Sequence, residues 1–178
     1  MIGRIAPKAS NGHEYILVAI DYFTKWVEAA SYSVLKAKNV AWFLENNIIC
    51  WSGVPQKIIS DNGSHFEGEV WKVMEEYDIE HHKSSPYRPQ VNRAVEAANK
   101  NVKNILAKMV VTYRVWAEKL PFAIWSYRTS IRASTRVIPY SLVYGNEVVL
   151  PIEVEIQSLR VLVESKVLEK DWAKARYE

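Results

Sequence analysis

From Val91 onward the apolar side chains fall at Val91, Ala94, Val95, Ala98, Val102, Ile105, Leu106, Met109 and Val110. Positions spaced i, i+3, i+4 and i+7 line one face of a helix, so the spacing predicts a long amphipathic helix. Pro86 and Pro89 bound it, because the residue before a proline is pushed toward extended geometry. Nearer the start of the chain the period shortens. Tyr15-Ile-Leu-Val-Ala-Ile20 is an unbroken apolar run and reads as a strand buried on both faces. Asn11-Gly12 sets a tight turn before it, and Asp21-Tyr-Phe-Thr-Lys ends it ahead of a second strand predicted over residues 26–32. A meander is expected there, with a partner strand ahead of Tyr15 that is cut short.

Val40, Phe43, Leu44 and Ile48 predict a helix over residues 37–51, stopped by Gly53 and Pro55. A short strand at Lys57–Ser60 then ends on Asp61-Asn62-Gly63-Ser64. A helix over residues 67–77 is expected to bury Val70, Trp71, Met74 and Tyr77. A short strand around Ile79 leads through His81-His82 into the loop before the long helix. Downstream, a helix over residues 116–128 admits Pro121 near its start, and residues 140–144 form a last short helix with Gly145 as its stop. The order β-β-α-β-α-(β)-α-α predicts an α/β sheet flanked by helices, its strands antiparallel first and parallel later. After Pro151 acids, bases and spaced apolar residues mix, so residues 1–150 are expected to be the domain and 151–178 a linker or partly helical tail.

Composition narrows the class. A chain of 178 residues with 49% hydrophobic and 24% charged residues is long enough for a proper core. No apolar run approaches the roughly 20 residues of a membrane span. The start has no signal-peptide anatomy, and the single cysteine, Cys50, excludes an internal disulfide or a cysteine-paired zinc site. The net charge is only +3, but Arg88, Arg93, Lys100, Lys103 and Lys108 cluster against one acid, Glu96. Local basicity of this kind favours a phosphate-bearing partner, and it also serves solubility.

Three stretches carry candidate chemistry. Glu96 lies just off the apolar stripe, with Asn99, Lys100 and Lys103 at i+3, i+4 and i+7 on the same flank. A carboxylate with lysines beside it suits a metal-dependent enzyme acting on a polyanion, and equally a solvated face of helical ion pairs. Asp61 ends a predicted strand, where the working groups of open α/β sheets collect, although Asp-Asn-Gly is also an ordinary turn. His81-His82 suggests metal binding at first sight. With no cysteine nearby and no third ligand in sequence, a polar strand end is the expectation.

Taken together these pieces resemble the catalytic core of an integrase from a gypsy-type long-terminal-repeat retrotransposon. The matching stretches are Lys8-Ala-Ser-Asn-Gly-His13, Ile16-Leu-Val-Ala-Ile-Asp-Tyr-Phe-Thr-Lys-Trp26, Ser60-Asp-Asn-Gly-Ser64 and residues 84–100. Tyr127-Arg-Thr-Ser130 and Tyr140-Ser-Leu-Val-Tyr-Gly145 complete them, in family order over about residues 1–160. The resemblance implies a ribonuclease-H-like fold, a mixed five-stranded sheet flanked by helices. It also implies polynucleotidyl transfer through two aspartates and a glutamate with Mg²⁺ or Mn²⁺. Such chemistry needs carboxylates because two hard divalent ions about 4 Å apart can activate the attacking oxygen and stabilise the leaving one. By this resemblance Asp61 is the second acid and Glu96 the third, both metal ligands. Lys100 and Lys103 match positions that hold DNA, with Arg88 as a further basic contact, and Tyr87 and Asn92 match loop residues that approach the DNA end. The implied partners are retroelement and target DNA in a homodimer or higher oligomer, the implied place is the nucleus, and no membrane is involved.

The chain also departs from the family pattern. The family's first catalytic aspartate would fall immediately upstream of Met1, so this copy is expected to be inactive as it stands, leaving a nucleic-acid-binding or dimerising domain as the alternative. Asp21 matches a different position, at the end of the next strand, and is not expected to replace it. Asp61 and Glu96 stand 35 positions apart, one fewer than in the family. Arg93 and Arg136 stand where the family usually has glycine, and arginine is strained wherever the backbone requires a positive φ. The family's zinc module and carboxyl-terminal DNA-binding domain are expected to lie outside these residues.

Overall fold

The alternation of a doubly buried strand organises the molecule. The computed structural model describes residues 4–83, 89–110, 113–146 and 148, with residues 89–92 and 113 described as backbone. In chain order the elements are β1 (Tyr15–Ile20), β2 (Val27–Tyr32), α1 (Ala37–Phe43), α2 (Cys50–Ser52), β3 (Lys57–Ser60), α3 (Glu69–Glu76), β4 (Glu80–Lys83), α4 (Pro89–Met109), α5 (Trp116–Arg128) and α6 (Pro139–Tyr144). On one face of β1, Ile16 and Val18 join Ala98, Val102 and Leu106 of α4 and Leu120, Ala123 and Ile124 of α5. On the other, Leu17 joins Val40 and Phe43 of α1 and Val70, Val73 and Met74 of α3. Successive residues of a strand point to opposite faces, so helices cover the strand from both sides. Each fully buried Val or Phe of this kind contributes roughly 1.5–3 kcal/mol. Met1–Gly145 makes up one compact unit, distinct from Asn146–Glu178.

The strands pair as the sequence order predicts, antiparallel first and parallel later. β1 runs antiparallel to β2 from Tyr15↔Tyr32 to Ile20↔Val27. β3 runs parallel to β4 from Lys57↔Glu80 to Ser60↔Lys83. The expected five-stranded sheet is not what the described residues form: they make two separate two-stranded sheets, β1-β2 and β3-β4. Each strand there has one hydrogen-bonded neighbour, and the shortened partner strand expected ahead of Tyr15 is not formed over the described residues 4–14.

The helices follow their apolar stripes with local corrections. In α4 Ala98, Val102 and Leu106 are buried, whereas Met109 at the end of the stripe is 38% exposed. In α3 the buried set is Val70, Val73 and Met74, an i, i+3, i+4 stripe. Trp71 lies off that stripe, and Tyr77, which continues it at i+7, falls one residue past the end of α3; both are exposed, contrary to expectation. The helix expected over residues 37–51 is interrupted by a π turn at Leu44–Ile49 between α1 and α2, and Gly53 ends it with φ of 81°. Gly145 caps α6 in the left-handed conformation, its N–H donating to the Ser141 carbonyl at 2.9 Å.

Trp26, Tyr127–Ser130 and the α6 segment, recognised separately in the sequence, close on one another. The Arg128 guanidinium stacks 4.0 Å from the Trp26 ring centroid and pairs with Glu28 at 2.5 Å. Its Nε–H donates to the Val27 carbonyl at 3.0 Å, and Trp26 Nε1–H donates to Glu28 Oε1 at 2.9 Å. Tyr144 meets Trp26 edge-on at 5.6 Å, and Tyr140 meets Trp125 in the same way at 5.8 Å. These motifs tie β2, α5 and α6 together.

Near the amino end, Ile5 N–H donates to the Glu14 carbonyl at 2.7 Å, and the Glu14 carboxylate takes Arg4 at 2.5 Å and Lys8 at 3.0 Å. The hydrogen bond from Arg4, then that from Lys8, holds the Glu14 carboxyl below the usual value of 4.5. A carboxyl whose folded pKa is depressed adds stability above its unfolded pKa and loses it as pH falls through the folded value. Acid unfolding is therefore expected to steepen below about pH 4.5, and Glu14→Gln to flatten that part of the curve, as read by circular dichroism against pH.

Of the two arginines expected at glycine positions of the resembled family, only one is strained. Arg93 lies within α4, exposed, in ordinary helical backbone. Arg136 sits at φ of 58°, in the left-handed region. That conformation costs a side-chain-bearing residue about 1–2 kcal/mol, partly offset for glycine by its freer unfolded chain. Arg136→Gly is expected to stabilise the fold by about 0.5–1 kcal/mol, seen as a higher urea midpoint at unchanged slope.

Candidate active site

β3 ends in a buried serine and an exposed acid. Ser60 is 6% exposed, and Asp61 directly after it has a side chain 55% exposed. Asp61 Oδ1 accepts the Gly63 N–H at 3.1 Å, so the turn reading of Asp-Asn-Gly is realised while the carboxylate stays open to solvent. The turn continues as a 3₁₀ segment, Ser64–Phe66, which brings His65 back over it. His65 is 15% exposed, its ring 4.6 Å from that of Phe66 and its Nε2 3.9 Å from Asp61 Oδ1. Nε2 itself is buried without a hydrogen-bond partner. A Cβ added at Gly63 would meet the His65 ring, so a larger residue there would have to displace that side chain. His65 was not singled out by sequence; the only cue was its place four residues after Asp61.

The paired histidines separate onto opposite faces of β4. His81 Nε2 lies 2.9 Å from Ser60 Oγ, and Ser60 Oγ–H donates to the Asp61 carbonyl at 2.9 Å. Burial first, then Lys83 and His82, pushes the His81 imidazole below the usual histidine range. His82 points the other way, to Glu80 at 3.3 Å, which also pairs with Lys57 across the strands at 3.0 Å. The expectation of a polar strand end thus holds for these residues.

Glu96 is exposed on α4, together with Lys100 and Lys103. Among the described residues no ion pair joins Glu96 to either lysine, so the helical ion-pair face is not formed. Asn92 is placed as backbone on the first turn of α4, and Tyr87 and Arg88 lie outside the described residues. Asp21 spends both oxygens on the β1–β2 turn: Oδ1 accepts Phe23 N–H at 3.1 Å, and Oδ2 accepts the Thr24 hydroxyl at 2.6 Å.

Asp61 and Glu96 are hard oxygen donors, the kind that suits Mg²⁺, which binds through one or two carboxylates and keeps waters or phosphate oxygens elsewhere. By donor type the two residues fit such an ion. Among the described residues no group of three or more His, Cys, Asp or Glu side chains converges into a metal site.

The integrase core domain family model matches residues 2–89, a stretch that includes Asp61 and stops before Glu96. The Transposon Tf2-3 and Tf2-4 polyproteins of Schizosaccharomyces pombe are each 27% identical over 138 residues, 76% of this chain. The chain spans about 10% of the length of these curated relatives. In fold it resembles a chain of the simian T-cell lymphotropic virus intasome solved in complex with the PP2A regulatory subunit B56 gamma, with a TM-score of 0.67 at 20% identity. That likeness covers 85% of this chain and 54% of the other. Over residues 2–89 the chain is thus similar in sequence to integrase core domains, and over most of its length it is similar in fold to the intasome chain.

Proposed function

We propose that this chain is the catalytic core of a gypsy-type retrotransposon integrase, with 3′-end processing and strand transfer as its polynucleotidyl-transfer reactions. In this reading residues 1–150 are the ribonuclease-H-like core and residues 151–178 a linker or partly helical tail. The observation that carries it is Asp61, an open carboxylate on a pinned turn at the carboxyl end of β3, within the stretch that matches the integrase core domain. Asp61 and Glu96 would hold Mg²⁺ or Mn²⁺. Bound there, the cation supplies activation of the attacking oxygen and neutralisation of the leaving one. Lys100 and Lys103, exposed on α4, act as point charges on phosphates of the element ends and target DNA. Tyr87, Arg88 and Asn92 join them by resemblance. The working form is a homodimer or higher oligomer in the nucleus. No helix among the described residues is long and apolar enough to cross a membrane.

One observation favours a second reading, a catalytically inactive domain that binds nucleic acid or dimerises: the described residues bring no three metal-ligating groups together. Mn²⁺-dependent nicking and strand-joining assays separate the two. The catalytic reading expects metal-dependent cutting by the 178-residue polypeptide or by the same polypeptide extended upstream by a strand segment ending in Asp. Glu96→Gln is expected to return the extended form to background, and Asp21→Asn to leave it unchanged. If neither polypeptide cuts while both are folded and retain DNA in chelator, the binding reading replaces the catalytic one.

A further inference from the structure

We propose that His81 and Ser60 are positioning residues for Asp61, gripping its main chain through a directed pair of hydrogen bonds across the β3–β4 pair. Ser60 Oγ carries a single hydrogen. The Asp61 carbonyl can only accept, so that hydrogen points to it across 2.9 Å. What Oγ then offers His81 Nε2, also at 2.9 Å, is a lone pair. The imidazole must therefore donate, which fixes the Nε2–H form and leaves Nδ1 as its other nitrogen. Direction runs one way, from His81 N–H to Ser60 O–H to the Asp61 carbonyl.

The sheet register makes this reach natural. His81 pairs with Ile58, and Ser60 lies two positions further along β3 on the same face, a diagonal neighbour. Trp71 of α3 holds the ring in place, edge-to-face at 5.8 Å and 83°. β3 and β4 pair over only four residues each, and a short two-stranded pair frays at its ends without help. The bonds from His81 close that end where the Asp61 turn begins. With the carbonyl held by Ser60 and Oδ1 held by Gly63 N–H, Asp61 is pinned at main chain and side chain together. A carboxylate so restrained is preorganised for a ligand, as outer partners of metal-binding groups generally make it.

The metal part of this inference rests on the reading of Asp61 as a cation ligand; the hydrogen-bond part does not, and the test separates them. Imidazole ¹⁵N spectra of the full chain are expected to show His81 as the Nε2–H form, with that proton protected from exchange and the protection lost in Ser60→Ala. Mn²⁺ binding, followed by the electron paramagnetic resonance of the free ion, is expected to weaken about tenfold in Ser60→Ala and in His81→Phe. Phenylalanine keeps the packing on Trp71 and removes the donor. Ser60→Thr and His81→Gln, which keep the hydroxyl and the N–H, are expected to restore it, and equal urea midpoints confirm that each variant is folded. A His81 ring protonated on Nδ1 alone, or a His81→Phe variant that binds Mn²⁺ as the parent does, overturns the proposal. If Asp61→Asn leaves Mn²⁺ binding unchanged, the cation reading of Asp61 fails, and the ¹⁵N spectra still decide whether His81 grips the turn.

Discussion

Replacing Arg128 by methionine is expected to destabilise the fold by about 3 kcal/mol. The guanidinium and the Glu28 carboxylate are only 18% and 17% exposed, so water screens the pair weakly. Methionine keeps most of the packing over Trp26 and removes three things at once: the charge opposite Glu28, the bond to the Val27 carbonyl and the stack on the indole. Most of the loss comes from Glu28, left partly buried with the Trp26 N–H as its remaining partner. Two comparisons isolate that term. Arg128→Met with Glu28→Met should recover about half of it, because no unpaired charge remains. Arg128→Lys should lose about 1–2 kcal/mol, since an ammonium cannot stack and fork at the same time. Urea unfolding at constant slope reads all three. A double variant no more stable than the single would mean that the stack, not the ion pair, dominates.

Two neighbouring positions on α4 are expected to fail in opposite ways. Val102 is fully buried between β1 and α5, so Val102→Glu places an unpaired carboxylate in the core and should cost about 4 kcal/mol, enough to unfold a marginal domain. Lys103, one residue on, is exposed, and Lys103→Glu should leave stability within about 0.5 kcal/mol. On the DNA-binding reading its effect appears in binding instead. Each lysine removed from a phosphate should flatten the dependence of log affinity on log salt by about 0.9. Lys100→Glu with Lys103→Glu should therefore flatten it by roughly twice that and weaken binding evenly across DNA sequences. Fluorescence anisotropy over a salt series in chelator measures this without any cation. An unchanged salt slope in the double variant would remove α4 from the DNA interface.

The chain shows plainly which properties are written locally and which arise only on folding. Helix and strand positions were legible because they depend on period: the apolar spacing after Val91 became α4, and the run from Tyr15 became β1, buried on both faces. The stop at Gly145 and the strain at Arg136 were legible for a related reason, since left-handed backbone belongs to one residue and its turn. Burial beside a stripe was read less well. Trp71 was expected inside because it is large and apolar, yet its position on α3 faces the flank, where it meets His81 instead. Strand pairing was legible only in part: the antiparallel β1–β2 meander and a later parallel pair form as expected, but among the described residues two pairs replace the expected single sheet, because edge pairing depends on which backbone groups meet. Nor were the roles of the polar side chains around Asp61. His81 stands 21 positions from Ser60 and Arg128 lies about a hundred from Val27, so only the packing of α3, β3 and β4, and of β2 and α5, decided what each would touch. Local pattern determined where acids and bases could be displayed, and tertiary contact decided which of them were held in place, because a hydrogen bond needs its partner within about 3 Å and the chain reaches that distance only by folding.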